Sequence, residues 1–559
     1  MTRARSRQAG IGLTCLLLFV AILWAQPLLT LSLGHQNDIP VHLRWSEQFL
    51  TAVREGWILP RWAYASRLGM GDPTFFYYQP LFYYFSAAFA FLGFGAEQAL
   101  LMAAAVPYVL LGAVVYFYVL RAYPNRHAVL GSLFVVGCPL LFFLSVYMAA
   151  FPWTLSLPFS VLFIVESTRN RPRPVPLAAL LCLVCLSHLL SGLMTLLCTG
   201  LGRLCFAFPS RRHVTGTLNW ALGIVLGLGL AAFFIYPAVT QLHLITPTGW
   251  THGNGFDWHK CFAFPTFTAK LYTMHWFGIQ WPLALMALAM AVLGVLQGRG
   301  DRATPALVGA RRMAIVALAA LALGSELAYP LYATLSPMQK IQFPYRFIFL
   351  ACILGNISFV VALCEGAWAR WGRRMRTLAV LLIAAQCAQL ALIQWGLHTG
   401  GERLLAREQF MRGNFGQPEY VPAVARPQWK DYANDGKLPG ECERLGIRCE
   451  AIRQRSHDLS VTVTTDRAVS LRLPLFAFPA WRASVDGVTQ DYATDKETGL
   501  LLVQVPAGTH AVTLRWSRLP AETTGLWISA GALCILLGGL VFSSYRRTTV
   551  AQPVLSSSP

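Results

Sequence analysis

Charged residues are scarce in this 559-residue chain, because Asp, Glu, Lys and Arg together make up only 13% of it. An average soluble protein contains about twice that fraction, roughly a quarter. Hydrophobic residues account for 55%. This balance excludes a large soluble enzyme, a disordered protein, a coiled coil and a small disulfide-rich domain. It is typical of a membrane protein with several membrane-spanning segments.

Acidic residues are the scarcer of the two signs of charge. The chain has 25 Asp and Glu against 45 Lys and Arg, which gives a net charge of +20. Most of the arginines lie in short loops between apolar segments, where positive charge marks the cytoplasmic side and the anionic lipid surface. The sequence has no basic, aromatic-rich module typical of nucleic-acid recognition. We therefore expect membrane lipids, and no nucleic acid, among the partners.

Apolar runs divide the chain into membrane segments, since a helix needs roughly 20 residues to cross the hydrocarbon. The candidate segments are 11–34, 100–120, 128–147, 152–166, 175–207, 217–236, 281–297, 313–332, 345–364, 377–396 and 525–543. The run 175–207 is long enough for a tight hairpin of two helices. The stretch 80–97 is short, and the charges of the loops place it at the outer surface. Together these features predict about twelve crossings, with both termini in the cytoplasm.

These segments predict a membrane domain followed by an external domain. The expected parts are a transmembrane domain at 1–396 with external loops at 35–79 and 238–280, an external and mainly β domain at 397–524, a final transmembrane helix at 525–543 and a cytoplasmic tail at 544–559. Apolar residues alternate around 459–463, 469–473 and 512–516, and Asp486-Gly487 is a hairpin signal. We expect a small antiparallel β-sandwich with a binding or supporting role.

Cysteine and histidine show no spacing typical of a zinc site. Most of the 13 cysteines lie in apolar runs, where a cysteine behaves as a small buried side chain. Cys442 and Cys449 instead lie in the polar segment that we place outside the membrane. In an oxidising compartment this pair could close a small disulfide loop.

The first external loop carries the most informative pattern. Asp38 follows the first membrane segment, and residues 41–55 can form an amphipathic helix lying on the surface. Pro60-Arg61-Trp62, Gly69-Met70-Gly71-Asp72-Pro73 and an aromatic run at 75–84 come next. Taken alone, a loop aspartate is most often solvated and inert, and aromatics at this position form an interfacial belt.

In combination with other motifs, this loop resembles the GT-C superfamily of integral membrane glycosyltransferases. The chain is most similar to bacterial "6-pyruvoyl-tetrahydropterin synthase-related" membrane-domain proteins. The resemblance rests on the loop motifs and on Tyr78-Gln79-Pro80-Leu81, Ser187-His188-Leu189-Leu190-Ser191-Gly192, Ile341-Gln342-Phe343-Pro344-Tyr345-Arg346-Phe347 and Glu419-Tyr420-Val421-Pro422. It implies transfer of a sugar from a polyprenyl-phosphate donor to an acceptor on the periplasmic face of the bacterial inner membrane, with inversion at the anomeric carbon. The acceptor would be an envelope glycan, lipid or protein.

One departure from that pattern concerns metal binding. Many GT-C enzymes carry a second acid in the next external loop, but residues 145–153 contain no Asp or Glu. A metal site shared between two loops is therefore not supported. We expect no cofactor, which favours metal-independent transfer, or else a chain that has lost activity.

The resemblance and the chemistry of glycosyl transfer assign roles to individual residues. Asp38 is the expected general base, because an ionised carboxylate can take the proton of the acceptor hydroxyl. The expected donor-phosphate and substrate ligands are His42, Arg61, His188, Lys340, Gln342 and Arg346. The expected acceptor contacts are His252, Asp257, His259, Glu419 and Tyr420.

Several of these residues have structural alternatives. His42 could be a polar residue on the wet face of a surface helix, and Arg61 could anchor the loop to lipid headgroups. Arg346 could reach a headgroup from its helix end, and His188 could be a hydrogen-bonded helix contact.

Two other functions fit the composition. A transporter or flippase of lipid-linked glycans would show internal repeats and broken helices in matched halves, and no repeat is visible in the sequence. A non-catalytic envelope scaffold, with its tail domain bound to polysaccharide, stays open because the second acid is missing.

Overall fold

The computed structural model describes residues 2–30, 38–146, 148–206, 211–246, 258–263, 272–297, 304–399 and 420–550. Most of the described chain up to residue 399 is helical, and the named strands lie within residues 448–516. The protein is therefore a mostly helical membrane part followed by a β-rich region and a last helix.

The helices are numbered in chain order. They are α1 (Thr2–Thr30), α2 (Ile39–Arg54), α3 (Thr74–Tyr77), α4 (Leu81–Phe91), α5 (Ala96–Ala113), α6 (Asn125–Val136), α7 (Pro139–Val146), α8 (Phe151–Ser167), α9 (Pro174–Ser187), α10 (Leu189–Phe206), α11 (Arg211–Leu230), α12 (Ala232–Thr240), α13 (Tyr272–Gln297), α14 (Pro305–Leu323), α15 (Tyr329–Thr334), α16 (Ser336–Gln339), α17 (Phe347–Cys364), α18 (Ala367–Arg370), α19 (Arg373–Thr399), α20 (Trp429–Asn434), α21 (Lys437–Leu445) and α22 (Pro520–Val550).

Several of these helices can cross a membrane. Among the described residues, six are long and apolar enough, and up to eight spans result if each of two bent pairs counts as one. The bent pairs are α6 with α7, at 46°, and α11 with α12, at 75°. Other apolar helices, such as the 14-residue α9, are shorter than the roughly 20 residues of a straight crossing. The expected number of about twelve crossings therefore stays a prediction.

The arginine-rich loops meet at one end of the helix bundle. Arg203, near the end of α10, donates to the carbonyl of Ser167 at 2.7 Å, and Arg312 of α14 donates to that of Thr168 at 2.6 Å. The start of α9 and the end of α10 therefore lie together, so the two helices form a hairpin. Its turn, at His188, lies at the opposite end of the bundle.

Two short helices cover that opposite end. The amphipathic helix α2 buries Trp45 and Phe49 against α4. The 11 residues of α4 extend only about 16 Å, about half of the hydrocarbon thickness. A straight crossing by α4 is therefore excluded by its length.

The tail region contains two antiparallel sheets. Its strands are β1 (Arg448–Gln454), β2 (Asp458–Thr465), β3 (Val469–Phe476), β4 (Trp481–Val485), β5 (Val488–Gln490), β6 (Ala493–Thr494), β7 (Leu500–Val505) and β8 (Gly508–Trp516). The first sheet has the order β1-β2-β8-β4-β5 and the second β3-β7-β6. Apolar residues of both sheets, including Val461 and Leu471, belong to one buried core.

Helices α20 and α21 precede the first strand of this mainly β region, which the alternating pattern did not predict. A disulfide bond joins Cys442 of α21 to Cys449 of β1. The tail also packs on the loop between α2 and α3, where Trp62 contacts Phe478, Trp481 and Trp516. The β-rich tail therefore supports the loop that follows α2.

Candidate functional site

Asp38 lies directly before α2, at the end of the bundle away from the arginine-rich loops. Its backbone carbonyl accepts the N–H of His42 at 2.9 Å. Its side chain does not cap the helix, and within the described ranges it makes no hydrogen bond or ion pair. Asp38 as a whole residue is exposed, so a ligand can reach it.

The surroundings of Asp38 change its acidity. Although the residue is exposed, the protein packed around its carboxyl group raises the pKa of Asp38 to about 6 by desolvation. The positive charge of Arg346 opposes this rise. A carboxylate with this pKa is largely ionised at neutral pH and more basic than an ordinary aspartate, which titrates near pH 4.

Arg346 ends a short turn, Pro344–Arg346, that leads into α17. Its guanidinium lies over two aromatic rings, 5.2 Å from the ring centre of Trp153 and 4.6 Å from that of Phe343. Its Nε atom is buried without a hydrogen-bond partner. No described carboxylate lies within ion-pair distance, about 4 Å. Arg346 is close enough to Asp38 for its charge to oppose the rise in the pKa of Asp38, and neither side chain forms an ion pair within the described chain.

His188 lies next to Arg346, at the turn between α9 and α10. Its ring stacks on Trp153 with a centroid distance of 6.0 Å and an interplanar angle of 20°. Its Nδ1 accepts the backbone N–H of Ser191 at 3.2 Å and lies 2.8 Å from the hydroxyl of the same residue. In the neutral imidazole the other nitrogen, Nε2, then carries the hydrogen and can donate it.

Aromatic rings from three parts of the chain form one wall beside this pair of charges. The ring centre of Tyr78 lies 4.8 Å from that of Trp45 of α2. The ring centre of Tyr420, in the tail, lies 6.0 Å from that of Tyr78 and 6.1 Å from that of Trp45. Thr246 donates to the carbonyl of Val421 at 2.9 Å, which fixes the segment that carries Tyr420. The expected acceptor contact Tyr420 is thus brought to the same end as Asp38.

The expected role of His42 as a substrate ligand does not fit its position. The side chain is 2% exposed, and its Nδ1 is hydrogen-bonded to the hydroxyl of Tyr83 at 2.8 Å. Rings of Trp45, Phe82 and Phe151 surround it. Burial lowers its pKa to about 3, so the imidazole is neutral. On α2, the side chain of His42 thus lies in the aromatic core. This placement corrects the prediction that His42 binds substrate.

The expected role of Arg61 as a phosphate ligand is also corrected. Arg61 is 3% exposed and forms an ion pair with Glu522 of α22, at 2.8 Å. It also donates to the carbonyl of Phe233 at 3.2 Å. The backbone N–H groups of Arg61 and Trp62 donate to Nε2 of His457, at 3.0 and 3.2 Å. Arg61 therefore joins the loop between α2 and α3 to the tail and to the last helix.

We predict that Arg61→Ala destabilises the protein by about 3–5 kcal/mol, because it leaves the carboxylate of Glu522 buried and unpaired. Replacing both partners, with Arg61→Met and Glu522→Leu, should restore much of the loss. Denaturant unfolding of the purified protein in mild detergent measures the difference, with the exposed Arg467→Ala as control. Equal stability of Arg61→Ala and Arg467→Ala would refute a structural role for Arg61.

The structure gives fewer contacts for the remaining candidate residues. Lys340 is exposed and Gln342 half-buried in the segment before Arg346, and neither side chain makes a hydrogen bond or ion pair with a described residue. His259 stacks on Trp258 at 4.0 Å. His252, Asp257 and Glu419 lie outside the described residues. The part of the chain that the structure describes holds no group of three or more His, Cys, Asp or Glu residues that could bind a metal ion.

Trp153 and Phe343 are site residues that the sequence reasoning did not assign. Both place an aromatic face under the guanidinium of Arg346. A signal was available, because Trp153 is the second residue of the predicted segment 152–166 and Phe343 lies three residues before Arg346. Aromatic residues at these positions read equally well as interfacial anchors.

Comparison with known proteins gives one family and a weak structural likeness. Two cryo-EM structures of the arabinofuranosyltransferase AftD from Mycobacteria, one of them a mutant, match with TM-scores of 0.40 and 0.41 at 14% and 13% identity. The matches cover 93% and 92% of this chain but only 40% and 42% of the AftD chains. No curated protein matches. The family described as "6-pyruvoyl-tetrahydropterin synthase related domain; membrane protein" matches residues 75–396, more than half of the chain. The chain therefore belongs to this family of 6-pyruvoyl-tetrahydropterin synthase-related membrane proteins.

Proposed function

We propose that this protein is a membrane glycosyltransferase that moves a sugar from a polyprenyl-phosphate donor to an acceptor at the outer face of the membrane. The observation that carries the proposal is the pair formed by Asp38 and Arg346. A basic carboxylate and an arginine, neither with an ion-pair partner in the described chain, lie within electrostatic range of each other at the end of the bundle away from the basic loops. The sequence resemblance to GT-C enzymes supports the same reaction.

In the proposed reaction, the acceptor oxygen attacks the anomeric carbon of the donor sugar. Asp38 takes the proton of the acceptor hydroxyl as the new C–O bond forms. The bond between the anomeric carbon and the phosphate oxygen breaks, and the polyprenyl phosphate leaves with the electron pair. Arg346 binds the negative charge that develops on this phosphate, and Nε2–H of His188 donates a second hydrogen bond.

The aromatic surroundings of Arg346 suit this task. The faces of Trp153 and Phe343 attract the cation and exclude water from one side of it, which strengthens its interaction with phosphate. They hold the guanidinium without neutralising it. A lipid-linked phosphate can reach the site from the membrane, since Arg346 lies directly before α17, in the candidate membrane span Pro344–Cys364.

The rest of the assignment follows from the same placement. We propose that Tyr78 and Tyr420 contact the acceptor, and that Lys340 and Gln342 assist in donor binding. Transfer needs no metal in this proposal, because residues 145–153 supply no second acid. We also propose about twelve crossings of a bacterial inner membrane, with both termini cytoplasmic and the tail folded as a periplasmic sandwich.

A direct assay tests the proposed function. The purified protein is incubated with a panel of polyprenyl-phosphate sugars and envelope glycan acceptors, and products are identified by mass spectrometry. A new glycosidic product that depends on the protein supports the proposal. Movement of lipid-linked glycan across a vesicle membrane without a product would instead identify a flippase.

The pH dependence of transfer should follow Asp38. Because burial raises the pKa of Asp38 to about 6, we expect kcat/KM to fall about tenfold per pH unit below pH 6 and to level off above it. His42 cannot supply this transition, since burial lowers its pKa to about 3. Initial rates between pH 4.5 and 8, with the acceptor well below its KM, measure the profile. A rate that stays constant down to about pH 4, the range of an ordinary aspartate, would contradict the assignment of the base.

A further inference from the structure

A cleft of about 630 Å³ lies at the arginine-rich end of the membrane domain. It is lined by Trp368, Trp371, Gly372, Arg373, Arg376, Thr377, Val380 and Leu381. Arg346 precedes the first residue of α17, and this cleft follows its last. The 18 residues of α17 separate the two by about 27 Å, so the cleft is distinct from the candidate transfer site.

The walls of the cleft change in character along α19. Val380 and Leu381 are apolar but 52% and 59% exposed, on a helix that is long and apolar enough to cross a membrane. Exposed aliphatic side chains on such a helix contact lipid chains. Arg373 and Arg376 lie one to two turns closer to the helix start, where a membrane helix reaches the headgroup layer.

Positive charge in the cleft is not balanced by its lining residues, none of which is Asp or Glu. Among the described residues, Arg376 donates to neutral carbonyls alone, those of Trp368 at 2.9 Å and Ala369 at 3.3 Å. Arg373 is exposed and, in the described chain, its side chain makes no ion pair or hydrogen bond. Cations in the first turn of a helix oppose the helix dipole, so the stability of α19 does not account for them.

We propose that this cleft binds an anionic phospholipid. Arg373 and Arg376 bind the phosphate of the headgroup, Trp368 lies at the level of the interface, and Val380 and Leu381 contact the acyl chains. The order of these groups along α19 matches the order of phosphate and hydrocarbon in a bilayer leaflet. The site is independent of the transfer reaction and stands even if that reaction is not found.

Lipid binding to the purified, delipidated full-length protein tests this proposal. Phosphatidylglycerol, phosphatidylcholine and a polyprenyl phosphate are added in detergent, and bound lipid is counted by native mass spectrometry. We expect phosphatidylglycerol to bind in preference to phosphatidylcholine. Arg373→Gln should weaken its binding about fivefold, the effect of one interfacial cation.

Arg374→Gln is the matched control, because Arg374 is exposed on the same helical turn but lies outside the cleft. Its phosphatidylglycerol affinity should stay within about twofold of the unsubstituted protein, since only the general surface charge changes. Equal losses in the two variants, or equal binding of the charged and zwitterionic lipids, would overturn the proposal. Tighter binding of the polyprenyl phosphate than of phosphatidylglycerol would also overturn it and assign the cleft to the carrier lipid.

Discussion

Replacing Asp38 by Asn is expected to abolish sugar transfer while leaving the folded protein in the membrane. The amide has nearly the shape of the carboxylate but cannot take the proton of the acceptor hydroxyl, and a general base typically contributes about 10²- to 10⁴-fold to a rate. Donor binding should be unchanged or slightly tighter, because a negative charge near the donor phosphate has been removed. The fold should be retained, since the Asp38 side chain makes no hydrogen bond or ion pair in the described chain.

Single-turnover transfer by the purified variant, together with its donor affinity, measures both expectations. Asp466→Asn, at an exposed aspartate of the tail, is the control for the loss of one exposed carboxylate. Asp38→Glu keeps the charge but displaces it by about one bond length, so its rate should lie between those of Asp38→Asn and the unsubstituted protein. Transfer by Asp38→Asn at more than a tenth of the unsubstituted rate would exclude Asp38 as the base.

The sequence predicted local structure best where one interaction determines it. Asp486-Gly487 predicts a two-residue hairpin, and the structure forms it between β4 and β5, with both residues at positive φ (51° and 79°). Glycine and aspartate tolerate that conformation, so the pair alone determines the turn. The hairpin predicted within 175–207 likewise forms, because its basic residues at both ends favour the same side of the membrane.

The ends of membrane helices were harder to predict where charged residues lie within the helix. The apolar run 313–332 predicts a membrane helix there, but α14 spans Pro305–Leu323. Arg312 lies inside this helix because its long side chain reaches Asn170 at 2.6 Å. Thr304 caps the start through the N–H of Leu307. A hydropathy pattern does not record such contacts between distant loops.

The sequence likewise predicted one part of the candidate site and not another. The charge pattern placed Asp38 and Arg346 at one end of the bundle, because each lies at the same side of a predicted crossing. The sequence did not show that Arg61 is buried, since its partner Glu522 lies 461 positions away. Tertiary packing of the tail on the loop decides that orientation, and only the folded chain brings the two residues together.

Arg346→Ala should weaken binding of the polyprenyl-phosphate donor by about 10- to 100-fold. A hydrogen bond to a charged group contributes about 1.5–3 kcal/mol, and each 1.4 kcal/mol corresponds to a factor of ten. Arg346→Lys keeps the charge but loses the planar fork, so an intermediate affinity is expected. Equilibrium binding of a labelled donor phosphate measures the series. Lys430→Ala, an exposed cation of the tail, should change the affinity by less than about twofold.

The same substitution should also move the pH profile, which separates a role in the site from a role in packing. Arg346 lowers the pKa of Asp38 against the effect of burial, so its removal raises that pKa and shifts the acidic fall in kcat/KM to higher pH. A change that only loosened the helix ends would reduce donor binding without this directed shift. Unchanged donor affinity together with an unchanged profile would show that Arg346 serves the lipid headgroups and that the donor phosphate binds elsewhere.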